Sequence, residues 1–236
     1  MIKIPLFGAV RADLPIPILG AVLGFLDGAF NPCALSVLFF LAAYLLAIGS
    51  RKKALILGLV YSVMVFLVYF LFMYGALNIF FIVGYLEIVK MVIGVVTVAA
   101  GLIQIKDFFF YGKWLSLEIP KSAKPTIESL IKRATIPSAI LLGIFVSLVE
   151  IPCAGGFPLA FLAIISSKTG LENIFYLVIY NFFFVLPLII LTLVLYFGFI
   201  QIEKAEKARL KLRKYMRLIS GVVLLALGLS ILMRWI

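Results

Sequence analysis

The hydrophobic pattern of the chain consists of long apolar runs bounded by charged residues, without the strict alternation of amphipathic strands. The apolar runs cover residues 14–49, 54–74, 87–105, 134–167, 172–199 and 216–235. A helix needs about 20 mostly apolar residues to span a bilayer. The pattern therefore predicts an all-α integral membrane protein, with residues 1–236 forming a single domain of six transmembrane helices.

The first and fourth runs are too long for one straight span each. As continuous helices, 14–49 and 134–167 would extend roughly 50 Å, whereas the apolar core of a bilayer is about 30 Å thick. Each run carries a proline near its middle, at Pro32 and Pro152. Because proline removes a backbone hydrogen bond and clashes with the preceding turn, we predict that helices 1 and 4 are broken at these Pro-Cys steps. A single tilted, kinked span is the alternative for the first run.

The chain also contains an internal repeat. Residues 94–102 (GVVTVAAGL) and 221–229 (GVVLLALGL) are identical at six of nine positions, and the two Pro-Cys steps recur 120 residues apart. This order predicts two three-helix repeats, 14–105 and 134–235, joined by a connection over 106–133. Because each repeat has an odd number of spans, the two halves should have inverted topology.

Charge predicts the orientation of these spans. Hydrophobic residues make up 65% of the chain and charged residues 13%, with a net charge of +11. All but five of the 21 Lys and Arg residues lie in or beside the connections 1–2, 3–4 and 5–6; the exceptions are Lys3, Arg11, Lys90, Lys168 and Arg234. The positive-inside rule makes those connections cytoplasmic. We therefore expect a multi-pass protein of the cell membrane with extracytoplasmic N- and C-termini, and a positive charge that reflects topology rather than nucleic-acid binding.

The composition also narrows the chemistry. There is no histidine, and no glycine-rich loop with phosphate-binding spacing. The two cysteines, Cys33 and Cys153, are too few for a disulfide scaffold and lack the paired spacing of a zinc site. We therefore predict no metal and no bound cofactor.

The two cysteines are the strongest candidates for chemistry because both follow proline near the middle of equivalent segments. A lone membrane cysteine is usually a small buried apolar residue. At Asn31-Pro32-Cys33, however, asparagine is a favoured N-cap and proline a favoured first helical residue. A half-helix starting there would direct free N–H groups at the sulfur and favour a thiolate. After the second cysteine, Gly155 and Gly156 permit close backbone approach or a flexible break.

Two acidic residues lie close to the cysteines. Asp27 is six residues before Cys33, and Glu150 is three residues before Cys153. An ionisable residue within a membrane is a functional candidate by default, here for proton transfer or water access. The alternative is that each carboxylate lies near a cavity mouth and is simply solvated.

Together these motifs resemble the CcdA family, cytochrome c biogenesis proteins related to the transmembrane domain of DsbD. The resemblance rests on residues 27–34 (DGAFNPCA) and 152–156 (PCAGG) and covers essentially the whole chain. It implies a transmembrane thiol–disulfide electron transporter. Such a protein passes electrons from cytoplasmic thioredoxin to extracytoplasmic thioredoxin-like acceptors, including those serving cytochrome c maturation, through a reversible Cys33–Cys153 disulfide.

The chain departs from the commoner bacterial pattern, in which a second proline follows each cysteine by three residues. Ser36 takes that place after Cys33, and Pro158 lies five residues after Cys153. The departure bears on local helix geometry and on the branch of the family. The main alternative function is a small-solute or ion exporter on a similar scaffold, in which the thiols are incidental. A quinone-linked disulfide oxidase would need additional cysteine pairs.

Overall fold

The computed structural model describes the chain in eight ranges, which are 15–30, 32–47, 50–83, 86–109, 122–154, 156–165, 172–197 and 202–233. Within them lie the helices α1 (Ile16–Phe30), α2 (Pro32–Ala47), α3 (Arg51–Val83), α4 (Leu86–Phe109), α5 (Lys124–Arg133), α6 (Ile136–Ala154), α7 (Gly156–Ile165), α8 (Glu172–Phe197) and α9 (Ile202–Leu232). These ranges contain no strand. The prediction of an all-α protein is confirmed for this part of the chain.

Four helices are long and apolar enough to cross a membrane. They are α3, α4, α8 and α9, whose apolar stretches have mean hydropathies between 1.7 and 2.6. Their outer faces carry large apolar side chains, such as Leu71 and Met91, with 64% and 65% of their surface exposed. A surface of this kind suits lipid rather than water. The remaining apolar helices α1, α2, α6 and α7 are each shorter.

The two Pro-Cys steps have different positions in their helices. In the first segment α1 ends at Phe30 and α2 begins at Pro32, directly before Cys33. In the fourth segment α6 continues through Pro152 and Cys153 to Ala154. The predicted break at that second step is therefore wrong, because the backbone is helical through both Pro152 and Cys153. An apolar helix in a packed bundle tolerates a proline, because neighbouring groups can take over the freed backbone partner.

The interior of the bundle is built around α7 and α8. Every residue of α7 except Leu159 is buried, and the helix has no polar side chain. A helix that is apolar on all sides belongs in the centre of a bundle. Its neighbour α8 packs antiparallel to α3, with Gly58 against Thr192 at one end and Met73 against Asn181 further along.

Glycines bring two helix pairs into backbone contact. A Cβ atom on Gly24 or Gly28 of α1 would collide with the carbonyl oxygens of Tyr180 and Phe184 on α8, so these helices run parallel and very close. The helices α4 and α9 run antiparallel, with Gly101 opposite Gly221 and Gly94 opposite Gly228. Small residues permit this close approach in membrane proteins, where packing replaces the hydrophobic driving force.

The predicted connection over 106–133 contains a helix that the hydrophobic pattern did not indicate. Ile127 and Ile131 of α5 are buried, whereas its charged residues are exposed. The helix packs on α2 and α6. It ends at Ala134, which has a left-handed conformation (φ 51°), and α6 then begins with reciprocal bonds between the backbone N–H and hydroxyl groups of Thr135 and Ser138.

Candidate functional site

A buried carboxyl group marks the centre of the candidate site. Asp27 lies on α1, one turn before the end of the helix, and only 1% of its surface is exposed. The hydroxyl of Tyr180 on α8 donates a hydrogen bond to Asp27 Oδ2 at 2.8 Å. Asp27 Oδ1 is buried and has no hydrogen-bond partner among the described residues. The solvated alternative for Asp27 is therefore wrong for this conformation.

The position of Asp27 follows from the glycines around it. Gly24 and Gly28 flank Asp27 on α1, and both face the backbone of α8. Because no side chain separates the two helices there, the Tyr180 hydroxyl reaches the carboxyl group directly. The sequence motif Asp27-Gly28 thus combines a polar group with the small residue that lets a second helix cover it.

Tyr180 connects this carboxyl group to the helix that follows the second cysteine. Its ring stacks on Phe161 of α7, with a centroid separation of 5.0 Å, and is completely buried. A Cβ atom on Gly20 of α1 would also contact the ring of Phe161, at 2.9 Å. Asp27, Tyr180 and Phe161 therefore form a cluster that joins α1, which leads into Cys33, to α7, which follows Cys153.

The helices that carry the two cysteines contact each other. Cys33 is the second residue of α2, and Cys153 is the next-to-last residue of α6. The two helices pack together, and α5 contacts both of them. The side chains of Pro32, Cys33, Glu150, Pro152 and Cys153 lie outside the described part of the structure, as do residues Asn31 and Gly155 entirely.

The remaining predicted residues of the second motif lie in the first turn of α7. Gly156 and Pro158 are both buried. A Cβ atom on Gly156 would lie 2.7 Å from Leu224 of α9. The absence of a side chain at Gly156 leaves room for the Leu224 side chain.

A second buried acid was not anticipated from the sequence. Asp107, at the end of α4, accepts a hydrogen bond from Arg217 of α9 at 3.1 Å and forms an ion pair with Lys106 at 2.9 Å. The sequence feature that could have indicated this ion pair is a pair of opposite charges, with Asp107 just after the third apolar run and Arg217 at the start of the sixth. Asp107 differs from Asp27 in having two cationic partners, so its negative charge is compensated.

The described residues do not form a metal-binding site. Within the described ranges, no three Asp, Glu, Cys or His side chains come close enough together to hold a metal ion. Comparisons with protein families, with curated proteins and with solved structures found no match for this chain. The site is therefore interpreted from its own residues.

Proposed function

We propose that this protein is a transmembrane thiol–disulfide electron transporter, as the resemblance to the CcdA family implies. Reducing equivalents pass from a cytoplasmic thioredoxin-like donor to an extracytoplasmic thioredoxin-like acceptor through a reversible Cys33–Cys153 disulfide. The observation that carries the proposal is the packing of α2 on α6, since these helices hold the only two cysteines of the chain. A disulfide requires Cα atoms about 4.4–6.8 Å apart, which helices in contact can provide.

The proposed architecture has six spans, with α1–α2 forming the first and α6–α7 the fourth. The contacts of α4 and α9 support an inverted repeat. Gly101 of α4 faces Gly221 and Leu225 of α9, while Gly228 of α9 faces Gly94 and Val98 of α4. In the internal repeat, each α9 residue is numbered 127 higher than its α4 equivalent. The first contact therefore becomes the second when the two helices are exchanged. A two-fold axis between antiparallel helices produces this relation.

A second pair of contacts supports the same symmetry. Gly24 of α1 faces the Tyr180 carbonyl of α8, and Gly143 of α6 faces the Tyr61 carbonyl of α3. Gly143 follows Gly24 by 119 residues, and Tyr180 follows Tyr61 by the same number. The first and fourth spans thus approach the fifth and second spans in equivalent ways.

The helix positions give the two thiols different roles. Cys33 lies in the first turn of α2, where the positive end of the helix dipole stabilises a thiolate. Cys153 lies in the last turn of α6, where the dipole has the opposite sign. Cys33 is therefore the better attacking and leaving sulfur.

The proposed cycle has two exchange steps. A donor thiolate attacks the Cys153 sulfur, Cys33 leaves as a thiolate, and the second donor thiolate then attacks the donor sulfur of the mixed disulfide and releases Cys153. On the other side, Cys33 attacks the acceptor disulfide, and Cys153 attacks Cys33 to release the reduced acceptor. Each step passes through a mixed disulfide, and two electrons are transferred overall.

The proposal is tested with full-length protein in proteoliposomes, with reduced thioredoxin on one side and an oxidised thioredoxin-like protein on the other. We expect Cys33→Ser and Cys153→Ser each to abolish transfer, because the resolving sulfur is missing. Cys153→Ser should accumulate an acceptor adduct on Cys33, identified by mass spectrometry, because Cys33 can attack the acceptor disulfide but cannot be resolved. Cys33→Ser should carry no donor adduct, because it has no internal disulfide for the reduced donor to attack.

A matched control is Ser147→Ala in α6. Within the described structure, the buried Ser147 hydroxyl bonds only to the Gly143 carbonyl of its own helix, at 2.8 Å, so this variant should transfer electrons normally. Full transfer by the double variant Cys33→Ser/Cys153→Ser would refute the proposal. Solute export that survives in the same variant would instead favour the exporter.

A further inference from the structure

The buried carboxyl group of Asp27 has no role in the cycle as written so far. Burying a carboxylate in an apolar interior costs several kcal/mol unless the charge is paired. Asp107 meets that requirement through Arg217 and Lys106, whereas Asp27 has one neutral partner, the Tyr180 hydroxyl. A single hydrogen bond from a tyrosine does not offset a full negative charge, so this packing accommodates the neutral acid.

Among the described side chains, no ionised group compensates Asp27 from the helices packed against α1, which are α8, α7, α9 and α2. Helix α8 contributes Tyr180, and α7 contains no ionisable residue. Arg217 of α9 pairs with Asp107. Tyr44 of α2 reaches the Lys132 carbonyl near the far end of that helix, and the other ionisable group of α2 is Cys33.

Asp27 precedes the first cysteine by only six residues in the chain. It lies in the last turn of α1, and α2 begins at Pro32 with Cys33 as its second residue. Six residues correspond to about 9 Å along a helix, a distance that a short chain of water molecules can bridge. Asp27 Oδ1, which is buried and unpartnered, is the atom available to such a chain.

We propose that Asp27 is the proton acceptor and donor for the Cys33 thiol, with Tyr180 as the residue that positions it. This inference rests on the proposed electron-transfer function. In the reduced protein, Asp27 holds the proton of the Cys33 thiol as the neutral acid, and the Cys33 thiolate attacks the acceptor disulfide. The acceptor leaves with two electrons and two protons, one from Asp27 and one from the Cys153 thiol, so Asp27 is a carboxylate in the oxidised protein. When the donor reduces the disulfide, its two thiol protons pass to Cys153 and to Asp27, and Cys33 leaves as a thiolate.

Redox-difference infrared spectroscopy tests the proposal on the full chain in nanodiscs. We expect the carboxylic acid C=O band of Asp27 to change between the oxidised and reduced protein. The band should disappear in Asp27→Asn, which keeps an acceptor for Tyr180 but carries no acidic proton. Tyr180→Phe, which leaves the carboxyl group in place, should shift the band because its hydrogen bond is lost.

Stopped-flow reduction by dithiothreitol supplies the kinetic readout. Loss of a positioned proton-transfer group typically lowers a rate about 10²–10⁴-fold, so Asp27→Asn should slow exchange at least 100-fold and flatten its pH profile. The matched control is Thr97→Val, since the Thr97 hydroxyl on α4 is equally buried and has no hydrogen-bond partner in the described structure. It should change neither the rate nor the band.

The possible failures are distinguishable. A wild-type protein that forms no Cys33–Cys153 disulfide under oxidant refutes the proposed function. A wild-type disulfide that is reduced equally fast in Asp27→Asn, with the same pH profile, overturns the role of Asp27 alone. An Asp27 band that is absent in both redox states, with exchange that depends on Na⁺ concentration, overturns it in favour of a cation site.

Discussion

Glycines at the helix contacts determine how closely α1 and α8 pack. Gly28→Ala would place a methyl group against the Phe184 carbonyl, in backbone that cannot move away independently. Overpacking of this kind typically costs about 1–3 kcal/mol. We expect that loss in the free energy of unfolding, measured in mixed micelles with increasing sodium dodecyl sulfate.

Gly75→Ala is the control for this substitution. A Cβ atom on Gly75 of α3 would meet nothing within 4 Å. In a helix, alanine is favoured over glycine by about 0.5–1 kcal/mol, so this variant should be as stable as the wild type or more stable. Equal free energies of unfolding for Gly28→Ala and Gly75→Ala would contradict the α1–α8 contact.

Ala134 adopts a backbone conformation that favours glycine. Its φ of 51° lies in the left-handed region, which costs a residue with a Cβ atom about 1–2 kcal/mol. Ala134→Gly should therefore raise the free energy of unfolding, by up to about 1 kcal/mol. Ala100→Gly, in the interior of α4, should lower it by about 0.5–1 kcal/mol. If Ala134→Gly and Ala100→Gly lower the free energy of unfolding equally, Ala134 is not strained.

At the scale of elements, a buried ion pair joins α4 to α9. Arg217 and Asp107 are 3% and 2% exposed. Removing one partner leaves a buried charge without compensation and costs about 3–5 kcal/mol, whereas replacing both partners by apolar residues is often neutral. We therefore expect Asp107→Leu to destabilise the protein strongly and Asp107→Leu/Arg217→Met to recover most of the loss. Additive costs in this double-mutant cycle would contradict the coupling.

For the whole molecule, the distribution of charge predicts the sides of the membrane. On a background with both cysteines replaced by serine, Ser129→Cys on α5 should react with a membrane-impermeant maleimide only after permeabilisation. Glu172→Cys, at the start of α8, should react in intact cells. Both positions are exposed, so accessibility alone does not separate them. The opposite labelling pattern, or a cytoplasmic C-terminus, would contradict the six-span arrangement.

The sequence predicted the helical, membrane-embedded character and the approximate limits of most helices. These features follow from local properties, because a run of apolar residues has one stable backbone arrangement in lipid. It did not predict α5, whose ten residues include only a few apolar ones. It also did not predict that α6 continues through Pro152 and Cys153, since the cost of an internal proline depends on neighbouring helices.

The candidate site, too, could be predicted only in part from the sequence. The sequence by itself determined that two Pro-Cys steps and two nearby acids are the residues to consider, because chemically capable side chains are rare in apolar segments. Only the tertiary structure decided that Asp27 is buried against Tyr180 and lacks a cation, while Asp107 has two. The Asp27–Tyr180 and Asp107–Arg217 contacts join residues more than 100 positions apart, whose meeting is determined by helix packing rather than by local pattern.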